Sequence, residues 1–413
     1  MHKLFIVFLF LIPFVSFSQH TKRCGTYEYW EMMKQQDPSL AIGEERINRE
    51  ANEWMVAHRN ERGQSSVITI PVVVHVLYHT DAENISDAQI QSQIDVLNQD
   101  FARLNQDTIL TPFVWRTTAA NTGLQFCLTS VTPDTAPSTG IERRYTSNES
   151  WSNFNEMKSF STGGLDVWNR DRFMNIWVGN LDGGVLGLTQ MPGGSPLTDG
   201  MCISYKAFGK IGDLDPQYNL GRSATHETGH WLGLYHIWGD DGGACSGTDY
   251  LNDTPNQADN TFNCPPFPQT DECSPAYPGI MFMNYMDYSD DACMNIFTND
   301  QSSKMHAILN TTRVSILNNV ASCNGSIAVS LPIKLFPNPV TDEILIHTYF
   351  NIPASIDFSL KDLYGREIMH KAKSLSSYEK VPFDVRHISS GVYVVSVTSN
   401  NYTITEKVII AHR

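Results

Sequence analysis

The feature that most limits what this chain can fold into is an eleven-residue run with three histidines at fixed offsets. His226 and His230 are four residues apart, so on a helix their imidazoles leave the same face one turn apart, which suits two nitrogen ligands of zinc. Gly233 can adopt a backbone conformation closed to other residues, which lets the chain leave the helix and return His236 as a third ligand. Three histidines leave the fourth zinc position open, as catalytic zinc sites require. Glu227, beside the first ligand, can reach a water molecule there.

The same run is the signature of the metzincin metallopeptidases, and further matches lie outside it. They comprise residues 172–178, 284–288 and 290–294. Over about residues 67–320 the chain resembles the pappalysin family of metzincins. The resemblance implies that Met286 forms an apolar floor under the metal and that Tyr288 steadies the oxyanion. A helix with ordinary surface histidines is the alternative, and imidazole ligands alone select weakly among divalent metals.

This resemblance implies an α/β (α+β) catalytic domain with a mixed sheet and a zinc-binding active-site helix. The implied activity is an endopeptidase in which Glu227 takes a proton from the attacking water and Tyr288 holds the oxyanion. A surface adhesin whose metzincin domain has lost activity is the competing function, and a non-peptidase zinc hydrolase is a third. Glu227 and Tyr288 argue against the adhesin, because a structural metal site needs neither.

Substrate recognition is expected along residues 183–191, where metzincins place the edge strand above the cleft. An extended peptide can add to such an edge through main-chain hydrogen bonds, although a buried strand without this role fits as well. Family members often prefer arginine just after the cut bond. The acid that would bind it is unassigned, but it must be Asp300 or an earlier residue, since no Asp or Glu lies between Asp300 and Asp342.

Charge bears on the class of partner. The chain has 413 residues with 29 basic and 44 acidic side chains, a net charge of −15, which argues against a nucleic acid partner. The acidic excess lies in residues 63–325, which carry 12 basic and 28 acidic groups and should attract metal ions or basic substrates. A secreted domain kept soluble by its charge explains the excess equally well.

The first residues predict export. Lys3 precedes an apolar run over residues 4–15 and small residues before Gln19, so residues 1–18 are predicted to be a cleaved signal peptide. No stretch is long and apolar enough for a convincing transmembrane helix. We therefore expect a secreted or cell-surface protein, monomeric, with protein or peptide substrates and with cysteines in an oxidising environment.

Three regions follow the signal peptide. Residues 19–62 are polar, with helix-like stretches at 28–36 and 43–61 and no strand pattern, which suits a pro-segment followed by a linker that proteases can cut. Residues 63–325 are predicted to form the catalytic domain, and residues 331–413 a small β-sandwich.

Local patterns place the first elements of the catalytic domain. Residues 67–78 read as a strand buried on both faces, and residues 124–131 and 173–181 as further strands. Ser86 begins a helix, for which Gln89 is predicted to complete a capping box.

Four cysteines follow the histidine run, and they allow three disulfide pairings or, less in keeping with export, a second zinc site. The family resemblance implies the pairs Cys245–Cys273 and Cys264–Cys293.

A calcium site is also implied, because residues 249–255 resemble the calcium loop of the family. The proposed ligands are the Asp249 side chain and the backbone carbonyls of Asn252 and Thr254. A turn formed by Asp and Asn is the alternative.

Cys24, followed by Gly25 in the predicted pro-segment, is expected to bind the zinc in a latent zymogen, as family zymogens do. The alternative is a disulfide with Cys127, Cys202 or Cys323, whose own pairing is open. Activation would then be a cut near residues 58–66, where Arg59 and Arg62 suit an arginine-preferring protease.

Four short motifs follow one another in the C-terminal region, at residues 336–339, 363–366, 391–395 and 407–410. Through these motifs the region resembles the sorting domain of the type IX secretion system of Bacteroidetes. Strands are predicted at 343–348, 356–362, 392–398 and 403–410. The resemblance implies a partnership with the type IX secretion machinery, and an adhesive or carbohydrate-binding sandwich is the alternative.

Overall fold

The computed structural model describes residues 22–59, 67–318, 323, 333–348, 354–375, 380–399 and 402–412. The predicted signal peptide, Arg62 and the predicted junctions near 62–63 and 325–331 lie outside these residues. The N-terminal part is a mixed α/β structure. Its elements are β1 (Lys22–Cys24), α1 (Thr26–Gln36), α2 (Ser39–Ala57), β2 (Ile68–Tyr78), α3 (Asp87–Phe101), β3 (Leu124–Leu128), β4 (Ile141–Tyr145), β5 (Met174–Gly179), β6 (Val185–Thr189), β7 (Met201–Ser204), α4 (Arg222–Trp231) and α5 (Asn299–Thr311).

One mixed sheet organises this part, in the strand order β1-β6-β7-β5-β2-β3, with β4 also beside β2. Its centre is parallel, because β2 runs parallel to β3, β4 and β5, and β5 runs parallel to β7. Strand β6 is antiparallel to β7. The interior of β2 is buried, as its apolar β-branched sequence predicts for a strand covered on both faces.

The N-terminal segment, residues 22–59, differs from its sequence prediction. Two helices form, as expected, but residues 22–24 also form a strand, parallel to β6, which the sequence analysis missed. The strand has no alternating pattern of its own, because pairing with the edge of an existing sheet fixes its conformation.

The start of α3 corrects a second expectation. The Ser86 hydroxyl accepts a hydrogen bond from the Gln89 backbone N–H at 3.1 Å, but the Gln89 side chain does not turn back to complete a capping box. Its amide instead donates to the carbonyls of Tyr205 and Phe208. The Gln89 side chain therefore makes tertiary hydrogen bonds instead of the helix-capping bond that the local pattern predicts.

Three disulfides cross-link the chain. Cys245 bonds to Cys273 and Cys264 to Cys293, the pairing that the family resemblance implies, so the long irregular segment after α4 is tied at both ends. Cys127 of β3 bonds to Cys323, and Cys24 and Cys202 are free and buried.

The C-terminal part is all-β, as predicted. Two antiparallel sheets, β11-β10-β13-β14 and β12-β9-β8, enclose an apolar core. The strands are β8 (Ile333–Phe336), β9 (Glu343–Thr348), β10 (Ala354–Lys361), β11 (Glu367–Leu375), β12 (Lys380–Asp384), β13 (Gly391–Ser399) and β14 (Tyr402–Ile410). Strands β8, β11 and β12 are not among the predicted strands. Strand β11 is an edge strand with many polar residues, and β12 contains Pro382, which is tolerated at a sheet edge. Among the described residues, no helix has the length and apolar character needed to cross a membrane.

Candidate metal centre

Helix α4 carries the first two histidines into the interior. His226 and His230 are almost completely buried, with their Nε2 atoms 3.0 Å apart. The helix is fixed at its start by Arg222, which forms a buried ion pair with Asp100 of α3 and a partly buried one with Asp107. Two ligand candidates on successive turns of an anchored helix therefore face one point.

Gly233 turns the chain after α4. Its φ is +84°, and a Cβ atom there would lie 2.7 Å from Cγ1 of Ile308, so both backbone conformation and space require glycine. The turn returns His236 to the other two histidines, with its Nε2 atom 3.1 Å from that of His230 and 3.3 Å from that of His226.

Hydrogen bonds fix which nitrogen of each ring faces the centre. Nδ1 of His226 lies 2.7 Å from the Tyr285 carbonyl and Nδ1 of His230 lies 2.8 Å from the Leu234 carbonyl. A carbonyl only accepts, so both Nδ1 atoms donate and both Nε2 atoms carry lone pairs. Burial lowers the pKa of both histidines well below the ordinary value, which keeps them neutral.

The donor set fits zinc. Tetrahedral ligands at about 2.0–2.1 Å from zinc stand roughly 3.3 Å apart, close to the separations of the three Nε2 atoms. Facing lone pairs repel unless a cation lies among them. The Cys24 thiol completes a group of four candidate ligand atoms that all lie within 4.8 Å of one another.

Met286 packs against helix α4 at Gly229, between the first two histidines in sequence. Its side chain is fully buried, and a Cβ atom at Gly229 would be 2.5 Å from its sulfur, so Gly229 allows helix and methionine to touch. The Asn284 side chain accepts a hydrogen bond from the Met286 backbone N–H at 2.9 Å. The same turn supplies the Tyr285 carbonyl that orients His226, so this segment both packs against helix α4 and fixes one candidate ligand.

Glu227 is fully buried beside the centre, and burial raises its pKa to about 7. Its Oε2 atom accepts a 2.7 Å hydrogen bond from the Thr26 hydroxyl, which in turn accepts from the Thr189 backbone N–H. Strand β6 passes over the carboxylate, since a Cβ atom at Gly187 would lie 2.8 Å from Cγ of Glu227. The sequence gives one weak signal for Thr26, a hydroxyl residue two positions after Cys24, and no pattern predicts its contact with Glu227.

Tyr288 closes another side of the centre. Its ring lies 5.0 Å from that of His236 and 4.7 Å from that of Trp238. Burial raises its pKa well above the ordinary value, so the hydroxyl remains a donor, and it donates to the Cys24 carbonyl at 3.3 Å.

The N-terminal segment enters the cleft as a strand. Lys22 pairs with Val185 and Cys24 with Gly187, and the Gly25 N–H donates to the Gly187 carbonyl at 2.8 Å. Without β1, β6 would be the edge of the sheet, consistent with the expectation for residues 183–191.

Arg23 occupies a pocket next to the centre. It is buried, and its guanidinium donates to Asp291 at 2.9 Å and lies over the ring of Tyr218. Asp291 is also buried and accepts from the backbone N–H groups of Leu220 and Arg222. Arg23 and Asp291 are 268 residues apart in the chain, so no local sequence pattern could predict their contact.

The proposed calcium loop places Asp249 in the interior. Its carboxylate accepts from the Thr254 hydroxyl at 2.8 and 2.9 Å and from the Leu251 N–H at 3.1 Å. Burial raises the pKa of Asp249 to about 7.

Comparison with known proteins matches both parts of the chain. A peptidase family model described as pregnancy-associated plasma protein-A matches residues 163–310, and a secretion system C-terminal sorting domain matches residues 334–411. An extracellular metalloprotease of Arthroderma otae is 31% identical over 242 residues, which cover 58% of this chain and 76% of that protein. One from Pyricularia oryzae is 31% identical over 297 residues, covering 69% of this chain and 88% of that protein.

Solved structures agree. Mature mirolysin of Tannerella forsythia in complex with a cleaved peptide is 48% identical with a TM-score of 0.62, covering 63% of this chain and 100% of that one. A promirolysin mutant from the same organism is 42% identical with a TM-score of 0.65, covering 73% of this chain and 99% of that one.

Proposed function

The chain belongs to the pappalysin family of zinc metallopeptidases, and from that premise we propose how its residues divide the work of a secreted endopeptidase made as a latent zymogen. The enzyme acts on peptide substrates, and its sorting domain addresses it to the secretion machinery and to the outside of the cell. The observation that carries the proposal is the group formed by Cys24, His226, His230 and His236, with Glu227 beside it.

His226, His230 and His236 would hold the zinc. Zinc, when bound, supplies Lewis-acid chemistry: it polarises a peptide carbonyl and acidifies water. Glu227 accepts the proton of the attacking water and passes it to the leaving amine, and its buried position suits a base poised near neutral pH. Tyr288 stays protonated and donates a hydrogen bond to the developing oxyanion. Met286 supports the ligands from below.

Latency follows from residues 22–26. Cys24 would supply the fourth ligand, its carbonyl accepts from Tyr288, and Thr26 donates to one carboxylate oxygen of Glu227, the proposed base. The segment therefore engages the metal position, the base and the oxyanion donor together. Removal requires a cut between this segment and the catalytic domain, near residues 58–66, where Arg59 and Arg62 offer sites.

A preference for arginine after the cut bond is supported by Arg23. This guanidinium is buried against Asp291, one residue away from the thiol that faces the metal position. A pocket that accepts the segment's own arginine has the charge and size to accept a substrate's, because a buried carboxylate needs a cationic partner.

Calcium is proposed at the loop of Asp249, with the carbonyls of Asn252 and Thr254. A buried carboxylate is costly without a cation, which supports the assignment. Calcium removal at constant zinc should lower the melting temperature and make the disulfide-tied loops easier to cut. A melting curve unaffected by calcium would show that residues 249–255 form an ordinary turn without a calcium ion.

The domain division that we propose is a signal peptide over residues 1–18, a pro-segment over 19–62, a catalytic domain over 63–325 and a sorting sandwich over 331–413, in a monomer. Mass spectrometry of the precursor and of the mature protein would locate the two cuts.

The test is cleavage of a peptide library by the activated protein, with Glu227→Ala as the matched inert variant. We expect cuts before arginine that a zinc chelator abolishes, and a Glu227→Ala protein that keeps zinc and fold but loses about 10²–10⁴-fold in rate. Absence of cleavage by zinc-loaded protein would favour the adhesin. Wild-type rates in the variant would remove Glu227 from its role.

A further inference from the structure

The three histidines differ in the group that accepts a hydrogen bond from Nδ1, because only His236 has a carboxylate partner, Asp240. His226 and His230 donate their Nδ1 protons to neutral backbone carbonyls. Nδ1 of His236 instead lies 2.9 Å from both carboxylate oxygens of Asp240, four residues later. A carboxylate that accepts from a ligand histidine fixes its tautomer and raises its basicity more than a carbonyl does.

The backbone is bent to make this contact. Gly239 and Asp240 both have positive φ, +72° and +52°, and a Cβ atom at Gly239 would lie 2.3 Å from the Thr248 backbone nitrogen. Glycine would suit the conformation at position 240 better than aspartate does. Aspartate tolerates this conformation better than most residues, and at position 240 it also places its carboxylate on Nδ1 of His236.

Aromatic contacts fix the plane of the His236 ring but not which of its two nitrogens faces the metal position. The ring stacks on Trp238 with centroids 4.3 Å apart and planes 7° apart, and Tyr288 meets it edge-on. Stacking sets the plane of the ring but not which nitrogen points to the metal position. The hydrogen bond from Nδ1 to Asp240 settles that choice and directs the Nε2 lone pair inward.

We infer that Asp240 is a positioning residue for the metal centre, which orients His236 and strengthens it as a ligand. The inference deepens the proposed function and rests on its zinc assignment. It separates the three histidines, because His236 alone is held by a charged partner.

The test measures zinc release from the full-length precursor to an excess of a chromophoric chelator. Asp240→Gly should fold at least as well as wild type but release zinc about 10–100-fold faster, since losses of this kind of partner cost that much affinity. Asp240→Asn keeps an oxygen acceptor and tolerates positive φ, so its rate should fall in between. Thr135→Gly is the control, because Thr135 also has positive φ, +66°, in an exposed turn.

A wild-type release rate in folded Asp240→Gly would overturn the inference. Where Asp240→Gly does not fold, a wild-type rate in Asp240→Asn overturns it instead. A wild-type precursor without zinc would contradict the proposed function itself, and zinc-loaded protein without peptidase activity would contradict that function alone.

Discussion

The N-terminal segment contacts the catalytic domain in two regions of opposite character. Residues 22–26 place a guanidinium, a thiol and a hydroxyl on Asp291, the metal position and Glu227. Helix α2 instead packs Ile47 and Ala51 against α5. The first contact depends on the identity of each polar atom, and the second depends on buried apolar area.

This difference separates inhibition from docking. Apolar packing by α2 can hold the segment in place but touches none of the groups that carry the proposed chemistry. The rim of α2 is polar, where Asn48 accepts from Lys304 at 2.7 Å and donates to Tyr235 at 2.8 Å. Latency should therefore depend on residues 22–26, and the lifetime of the docked state on α2.

The largest effect is expected from Cys24→Ala in the uncut precursor. The variant lacks the fourth ligand, so its peptidase activity should exceed that of the wild-type precursor by more than about 100-fold. Loss of a residue that only hydrogen-bonds to a metal ligand already changes metal affinity or activity about 10–100-fold, and loss of a ligand itself should change more. Initial rates on a quenched peptide, with the precursor checked for cleavage, measure this. Cys202→Ala, which removes the other free buried thiol, is the control. A Cys24→Ala precursor that stays latent would show that inhibition does not depend on the thiol of residues 22–26.

Asp291→Asn should be next in size. Breaking a buried charge pair costs about 2 kcal/mol or more, so kcat/KM for peptides with arginine after the cut bond should fall at least about 30-fold relative to peptides with leucine. Asp290→Asn is the neighbouring control. An unchanged ratio in folded, zinc-loaded Asp291→Asn would remove this residue from the specificity pocket.

Thr26→Val should have a smaller effect on latency. Valine keeps the shape but cannot bond to Glu227, and a hydrogen bond to a charged group contributes about 1.5–3 kcal/mol. Against a Cys24→Ala background, the added substitution should raise precursor activity by at least about 10-fold, the lower end of this range. Equal rates in the single and double variants would show that the hydroxyl does not restrain the base.

Ile47→Ala should change activity least. Truncating a buried isoleucine costs at least about 2 kcal/mol of stability. The population in which α2 is detached from α5 should therefore rise roughly 30-fold, while the precursor stays latent. Hydrogen exchange of the α2 amides measures the opening, with exposed Val56→Ala as the control. Activity rising in step with exchange would mean that docking and inhibition are one process.

Local patterns identified part of this centre. The spacing of His226, His230 and His236 depends on one helix turn and one glycine, so it can be read from sequence. Thr26 on Glu227, and Arg23 on Asp291, join positions 201 and 268 residues apart, which no local pattern encodes. Asp240 lies four residues after His236, which is visible in the sequence. Its contact with the histidine, however, depends on the positive φ that the fold imposes at position 240.

The fold shows the same limit. Strand β2 was predictable because its burial on both faces leaves a continuous apolar run. Strand β1 was not, because its pairing partner determines it. The capping bond predicted for the Gln89 side chain does not form, because two distant carbonyls compete with the helix cap for this side chain.

The central claim is that the Cys24 thiol is the fourth zinc ligand of the latent precursor. The most direct measurement is a crystal structure of the zinc-loaded precursor made inert by Glu227→Ala, with X-ray absorption at the zinc edge. We predict three nitrogen ligands and one sulfur at about 2.3 Å from zinc. A Cys24 disulfide, or a zinc shell without sulfur, would contradict the account.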